Sequence, residues 1–232
     1  MLKHLFFDLD RTLWDFEKNS EKALHNLFHE LGLDRYIPEF REFHEIYKEK
    51  NAELWKSYGE RKISKEYLRT ARFEVTLAAF HVHDPKITEL LSQGYIDLSP
   101  RQTELFPEAI NTLETLRSMG YSMDIITNGF KEVQYIKLEN SGLAKYFNHV
   151  TCSEEIGMNK PAPDIFHYAA GKAGVKVSDS VMIGDDPEVD VVGALNAGMR
   201  AILFDPEDKY KQVQGAGKIG HLAELPECLP FI

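Results

Sequence analysis

The chain has 232 residues, of which 43% are hydrophobic and 28% are charged, a balance typical of a globular protein with a substantial core. Its formal net charge of −10 argues against a nucleic-acid polymer or an anionic membrane as a partner, because both require a basic surface. A small phosphorylated metabolite remains possible, since a few local cations can bind it. Two cysteines and the lack of a long apolar run predict a cytoplasmic protein, and the sequence leaves a monomer or a small homo-oligomer open.

The first predicted element is a short buried strand over residues 3–9, which ends in acidic residues. From 15 to 98 the apolar residues recur at helical spacing throughout. Within this block, Ser64 and Asp84 stand where helix N-caps are expected, and Pro85 stands at a first helical position. The block therefore predicts a set of consecutive helices without strands.

After Pro107 the pattern changes to alternating strands and amphipathic segments. The predicted strands cover 121–126, 149–152, 180–184 and 200–204, and the amphipathic segments between them cover 131–140, 164–173 and 188–197. This alternation predicts an α/β fold with a Rossmann-like parallel sheet flanked by helices, which the strand over 3–9 also joins. The predicted domains are a core of 1–14 and 99–232 and an inserted helical domain of 15–98. The tail after Asp205 gives no clear pattern.

Polar side chains follow the predicted strands at their carboxyl ends, where open parallel sheets bind their ligands. They are Asp8, Asp10 and Thr12, then Thr127, Asn128 and Gly129, then Lys160, and finally Asp185, Asp186 and Asp190. Each group alone is more often a turn or a helix cap. Together they supply a carboxylate nucleophile, a second acid, donors for phosphate oxygens and carboxylates for a hard cation. The combination predicts phosphoryl transfer from a monoester.

The motifs that contain these residues resemble the four signature motifs of the haloacid dehalogenase superfamily. They are Phe6-Phe7-Asp8-Leu9-Asp10-Arg11-Thr12-Leu13, Ile126-Thr127-Asn128-Gly129, Lys160-Pro161 and Ile183-Gly184-Asp185-Asp186. The resemblance covers essentially the whole chain. It implies a Rossmann-like core with a helical cap inserted after the first motif. It also implies a magnesium-dependent phosphatase that works through an aspartyl-phosphate intermediate.

The resemblance assigns a role to each residue of these motifs. Asp8 would attack phosphorus, and Asp10 would protonate the leaving oxygen and later activate water. Thr127 and Asn128, with the backbone amides beside Thr127, would hold the phosphate. Lys160 would neutralise both the phosphate and Asp8.

The resemblance also implies a magnesium site. The ion would be bound by Asp8, by the backbone carbonyl of Asp10 and by Asp185. Asp190 would not touch the ion and would act either by supporting its ligands or through Lys160. Asp186 occupies a position where many relatives carry Ser or Thr, so its role is left open.

The superfamily also contains dehalogenases and sugar-phosphate mutases, so the fold alone does not decide the reaction. Asp10 favours a phosphatase, because the dehalogenases lack an acid at that position. A phosphomutase, a haloacid dehalogenase and a non-catalytic binding module stay as remote alternatives. The binding module would require the loss of a catalytic residue, and none is missing from the motifs.

Three short sequence motifs resemble those of bacterial pyrimidine 5′-nucleotidases, and this resemblance predicts a nucleoside 5′-monophosphate as substrate. They are Leu54-Trp55-x-x-Tyr58, Arg72-Phe73-Glu74 and Ile126-Thr127-Asn128-Gly129-Phe130. The candidate substrate contacts are Arg72, Trp55 and Phe130, because an aromatic ring can stack on a base and a guanidinium can bind its oxygens. Trp55 and Phe73 are nevertheless more often helix-core residues. A sugar phosphate, N-acylneuraminate 9-phosphate and phosphoglycolate are the alternative substrates.

Overall fold

A computed structural model describes residues 4–231, and it divides into two compact units. One unit contains the residues up to Phe16 together with those from Thr103 onwards. The other unit is Glu17–Gln102. The assignment of 1–14 and 99–232 as catalytic core and 15–98 as cap remains a prediction. No helix of the described residues is long and apolar enough to cross a membrane.

The unit Glu17–Gln102 contains helices and no strand among its residues, all of which are described. Its helices are α1 (Phe16–Glu30, which begins at the boundary), α2 (Phe40–Gly59), α3 (Lys65–Ala78) and α4 (Pro85–Leu98). Ser64 accepts the backbone N–H of Tyr67 at 3.2 Å, and Asp84 accepts that of Lys86 at 2.9 Å. These two side chains are the predicted caps of α3 and α4. Phe28, Phe43 and Phe73 lie in the buried core of the unit.

The other unit is built on one parallel sheet. Its strands are β1 (His4–Phe7), β2 (Ser122–Thr127), β3 (Val150–Cys152), β4 (Ser180–Gly184), β5 (Arg200–Phe204) and β6 (Gly217–Ile219), in the order β3-β2-β1-β4-β5-β6. The parallel sheet confirms the predicted α/β fold. Residue 3, where the first strand was predicted to begin, lies outside the described residues.

The central strands are buried on both faces, as expected for a parallel sheet covered by helices. Leu5 and Phe7 of β1 join one apolar cluster, and Phe6 joins the cluster on the opposite face. The helices of this unit are α5 (Ala109–Ser118), α6 (Lys131–Asn140), α7 (Pro163–Ala173), α8 (Gly193–Asn196) and α9 (Leu225–Cys228). Phe7 is level with Ile125 of β2 and Ile183 of β4, so the three strands end within two residues of one another.

The segment after β4 differs from a regular amphipathic helix. Pro187–Val192 forms a π-helical turn, and only Gly193–Asn196 is α-helical. The backbone N–H groups of Asp190 and Val191 both donate to the carbonyl of Asp186, at 3.0 and 3.2 Å. The second of these bonds spans five residues, which widens the turn.

Candidate active site

The carboxyl ends of β2, β1 and β4 bring the predicted motifs together. Asp8 directly follows β1, and its backbone N–H donates to the carbonyl of Ile183 at 2.8 Å. Asp185 directly follows β4, and Thr127 is the last residue of β2. Because the three strands are neighbours and end within two residues of one another, the side chains at their ends lie in one small region.

Lys160 lies at the centre of this region. Its Nζ donates to Asp8 Oδ1 at 2.6 Å, to Asp190 Oδ1 at 2.6 Å and to the carbonyl of Ile126 at 2.8 Å. The lysine side chain is only 2% exposed. Three acceptors use all three hydrogens of the ammonium group, so its position is fixed. Burial alone would lower the pKa of Lys160, but Asp190 and Asp8 outweigh that effect and raise it above its usual value.

Asp8, Asp185 and Asp190 form a cluster in which one oxygen of each carboxylate lies within 4.8 Å of the others. Burial raises the pKa of Asp8 to about 7, against the effect of Lys160 and with a contribution from Asp190. Burial likewise raises the pKa of Asp185 to about 8, assisted by Asp190 and Asp8. Lys160 bonds to Asp8 and Asp190 but not to Asp185, so full ionisation of the three carboxylates would leave an excess of negative charge, which Arg11 offsets only in part.

That excess of buried negative charge fits a divalent cation, and the hydrogen bonds decide which carboxylates could hold it. Both oxygens of Asp190 are engaged, Oδ1 with Lys160 and Oδ2 with the backbone N–H of Asp186 at 3.1 Å. Among the residues that the structure describes, Asp185 Oδ1 accepts only a long hydrogen bond of 3.5 Å, from the Thr12 hydroxyl. Asp8 and Asp185 are therefore the side chains best placed to bind a hard cation through oxygen.

Gly184 keeps Asp190 in its place. A Cβ built on this glycine would lie 2.3 Å from Asp190 Oδ2, closer than any real contact. A side chain at position 184 would push the carboxylate away from Lys160. Position 184 of the fourth motif therefore requires glycine, because the Asp190 carboxylate occupies the space that a side chain would need.

Asp10, the predicted acid/base, is held by two side chains of α6. Its Oδ1 accepts from Lys137 Nζ at 2.5 Å, and its Oδ2 accepts from Gln134 Nε2 at 2.8 Å. The sequence motifs do not include Gln134 or Lys137. They could have been noticed as two polar residues three positions apart, and so on one face, of the predicted helix that follows Thr127.

The second motif supports Lys160 through Asn128. The Asn128 amide donates to the Lys160 carbonyl at 3.0 Å, and its oxygen accepts the Lys160 backbone N–H at 2.8 Å. The carboxamide is thus engaged with the main chain of the lysine. The predicted phosphate contact of this residue would have to come from its backbone N–H.

Two further motif residues have local structural roles. Asp186 Oδ1 accepts the backbone N–H groups of Glu188 and Val189, each at 2.9 Å, and so caps the turn that carries Asp190. Arg11 has a φ of 64°, a left-handed conformation that favours glycine. Its guanidinium lies 4.3 Å from the centre of the Phe16 ring.

The three candidate substrate contacts differ in burial. Arg72 of α3 is 6% exposed, and its guanidinium lies 4.6 Å from the centre of the Tyr95 ring. Trp55 of α2 is half-buried, with its ring edge-on to Tyr58, whereas Phe73 is a core residue as expected. Phe130 is buried just before α6. A substrate role for Arg72, Trp55 and Phe130 remains a prediction.

Comparison with known proteins assigns the chain to a family. Residues 5–204 match the haloacid dehalogenase-like hydrolases. The chain belongs to this family. Its relatives include a pyrimidine 5′-nucleotidase of Streptococcus pneumoniae, 32% identical over 98% of this chain and 94% of that protein. They also include a glyceraldehyde 3-phosphate phosphatase of Methanopyrus kandleri, 34% identical over 92% of this chain and 88% of that protein.

A solved structure agrees with the family assignment. A haloacid dehalogenase-family hydrolase of Bacillus subtilis, solved bound to magnesium, superposes with a TM-score of 0.87 at 27% identity, over 99% of each chain. This hydrolase and the present one therefore share the same fold. The resemblance recognised in the sequence motifs is therefore confirmed at the level of the family.

Proposed function

We propose that this hydrolase removes the phosphoryl group from a small phosphorylated metabolite in a magnesium-dependent reaction. The observation that carries the proposal is the position of Lys160, bonded to Asp8 and Asp190 at 2.6 Å each among three carboxylates at the strand ends. Such a cluster offers a carboxylate nucleophile and a cation site side by side. Asp8 and Asp185 would hold Mg²⁺, which would neutralise phosphate charge as a Lewis acid.

In the first half-reaction, an Asp8 carboxylate oxygen attacks phosphorus, and the bond from phosphorus to the ester oxygen breaks. The leaving oxygen takes its proton from the Asp10 carboxyl group, so that the product leaves as a neutral alcohol. Lys160 offsets the charge of Asp8 and of the phosphoryl group. The Thr127 hydroxyl and the backbone N–H groups that follow it hold phosphoryl oxygens.

In the second half-reaction, water attacks phosphorus of the aspartyl-phosphate. Asp10, now a carboxylate, takes the proton of that water, and the bond between phosphorus and the Asp8 oxygen breaks. Inorganic phosphate leaves, and both carboxyl groups return to their starting protonation states. One residue thus serves as acid and then as base, which keeps the proton count balanced.

The substrate class proposed first is a nucleoside 5′-monophosphate, on the strength of the nucleotidase-like motifs around Trp55, Arg72 and Phe130 and the streptococcal relative. A small sugar phosphate is the second candidate. It is favoured by the glyceraldehyde 3-phosphate phosphatase, whose identity of 34% is similar to that of the nucleotidase. In either case the helical residues 15–98 would act as the cap that selects the substrate.

A substrate panel tests this proposal. The purified protein is assayed with pyrimidine and purine monophosphates, glyceraldehyde 3-phosphate, other sugar phosphates and p-nitrophenyl phosphate, with Mg²⁺ and with EDTA. Magnesium-dependent release of phosphate, highest for the pyrimidine nucleotides, is the expected result. Dominance of sugar phosphates would overturn the nucleotidase assignment alone. Dehalogenation of a 2-haloacid without phosphate release would overturn the phosphatase.

The raised pKa values of Asp8 and Asp185 predict how magnesium stabilises the protein. Without metal, the folded state holds protons that the unfolded state releases, so stability falls as pH rises from the ordinary carboxyl range towards about 8. Mg²⁺ competes with those protons. The increase in Tm caused by Mg²⁺ is therefore expected to be larger at about pH 8 than at about pH 6.

Differential scanning fluorimetry at several magnesium concentrations measures this effect. Asp185→Asn is the matched variant, because it removes one ligand and one titrating group. In this variant, Mg²⁺ should raise the Tm by less than in the wild-type protein. The Tm of the metal-free variant should also depend less on pH. A magnesium shift of equal size at both pH values in the wild-type protein contradicts this account of the site.

A further inference from the structure

We propose that Gln134 and Lys137 of α6 are positioning residues that orient Asp10 for proton transfer and Thr127 for phosphate binding. The inference rests on the proposed function, and it extends the site to a helix outside the four motifs. Gln134 is fully buried and the Lys137 side chain is 5% exposed. Buried polar side chains of this kind persist only where they satisfy other groups.

The first observation is that the two residues hold different oxygens of Asp10. Lys137 Nζ contacts Oδ1 at 2.5 Å, and Gln134 Nε2 contacts Oδ2 at 2.8 Å. Donors on both oxygens fix the rotation of the carboxyl group as well as its place. Each oxygen keeps a second lone pair, which can carry the proton that Asp10 gives to the leaving oxygen and later takes from water. Lys137 is itself fixed, because its Nζ lies 4.2 Å from the centre of the Trp14 ring.

The second observation concerns the hydroxyl group of Thr127. Its Oγ1 accepts the backbone N–H of Gly129 at 3.0 Å and Gln134 Nε2 at 3.0 Å. A hydroxyl oxygen has two lone pairs and one hydrogen, and both lone pairs are used here. The hydrogen is left to donate, which is the polarity that a phosphate oxygen requires. Gln134 therefore links the acid/base to the phosphate donor through one amide group.

The third observation is the space reserved for that amide. A Cβ on Gly129 would lie 1.6 Å from Gln134 Nε2, so any side chain there would displace the amide. The amide oxygen of Gln134 is buried without a hydrogen-bond partner among the described residues. A residue kept for its own packing would not leave that oxygen unsatisfied. The NH₂ group, which serves Asp10 and Thr127, accounts for glutamine at this position.

The test compares Lys137→Met and Gln134→Met with Lys131→Met, an exposed lysine on the same helix. The readout is kcat/KM, which reports steps up to enzyme phosphorylation, for the best alkyl phosphate of the panel and for p-nitrophenyl phosphate. Lys137→Met and Gln134→Met should lower kcat/KM for the alkyl phosphate by about 10- to 100-fold, because the acid is misplaced. The loss should be smaller for p-nitrophenyl phosphate, whose leaving group needs no proton. Lys131→Met should match the wild type.

Inhibition by inorganic phosphate separates the two roles. Gln134→Met and Gly129→Ala should weaken this inhibition, because both disturb the Thr127 hydroxyl. Lys137→Met should leave the inhibition by phosphate unchanged, because Lys137 donates to Asp10, whereas the hydrogen bond to the Thr127 hydroxyl comes from Gln134. Should Lys137→Met fail to fold, Gln134→Met and Gly129→Ala decide the matter.

A double-mutant comparison isolates the action through Asp10. In an Asp10→Asn background, Lys137→Met should cause no further loss, since the group that it positions is gone. The contrary result is that Lys137→Met lowers kcat/KM equally for both substrates and lowers it further in the Asp10→Asn background. That result would indicate a purely structural role for Lys137 and overturn the proposal. Wild-type activity of Lys137→Met and Gln134→Met would overturn it as well. Failure of the proposed function is distinct, because the wild-type protein itself would then release no phosphate.

Discussion

Asp8→Asn is expected to lower kcat for phosphomonoester hydrolysis by about 10⁴-fold or more, because the carboxamide oxygen cannot attack phosphorus. Asparagine has nearly the same shape as aspartate and can still accept the hydrogen bond from Lys160. The variant should therefore fold. Since burial raises the pKa of Asp8 to about 7, removing this charge should not lower the Tm of the metal-free protein at about pH 8.

Asp208→Asn is the matched control, since its side chain is 91% exposed and lies outside the motifs. It should keep wild-type kcat and KM. Steady-state kinetics with the best substrate and with p-nitrophenyl phosphate measure both variants. Full activity in Asp8→Asn would end the assignment of the nucleophile.

Lys160→Met should cost both activity and stability. The methionine removes an ammonium group that bonds to Asp8, Asp190 and a backbone carbonyl, and it leaves two buried carboxylates without that partner. Breaking a buried ion pair from one side typically costs about 3–5 kcal/mol of unfolding free energy. Loss of the positive charge that offsets Asp8 and the transferring phosphoryl group should lower kcat by about 10²- to 10³-fold.

Two measurements and a control check this prediction. Denaturant unfolding gives the free energy of unfolding without Mg²⁺, and steady-state assays give kcat with Mg²⁺. Lys145→Met replaces a lysine whose side chain is 62% exposed and should change neither quantity appreciably. An unchanged unfolding free energy in Lys160→Met would contradict the ion-pair account of this site.

The fold was largely predictable because its strands carry local signals. The predicted strands 180–184 and 200–204 coincide with β4 and β5, since each is a buried apolar run bounded by polar residues. The starts of α3 and α4 were predictable because Ser64 and Asp84 act within their own turn. Such contacts involve neighbours in sequence, and a sequence pattern can reveal them.

The strand β6 was not predicted. It has only three residues, Gly217–Ile219, at the edge of the sheet, and its apolar content is too small to form a pattern. Lys218 is instead held by Asp205 at 2.9 Å and by Asp208 at 2.6 Å. These ion pairs depend on the tertiary fold, so the sequence alone did not indicate them.

In the candidate site, too, the features set by neighbouring residues were predictable, and the contacts between residues far apart in sequence were not. Asp8, Thr127 and Asp185 could be assigned to one region because each stands at the end of a predicted strand. The pairing of Asp10 with Gln134 and Lys137 joins residues more than 120 positions apart. No periodicity or composition encodes which polar residues of α6 face the sheet end, so that part of the site required the structure.

The covalent intermediate offers the most direct measurement of the central claim. The wild-type protein and Asp10→Asn, in which water activation is impaired, are mixed with Mg²⁺ and p-nitrophenyl phosphate, whose leaving group needs no proton from Asp10. The samples are then quenched in acid and analysed by peptide mass spectrometry. The proposed function predicts one phosphoryl group on Asp8, accumulating further in Asp10→Asn and absent in Asp8→Asn. A phosphoryl group on a different residue, or substrate turnover that persists in Asp8→Asn, would contradict it.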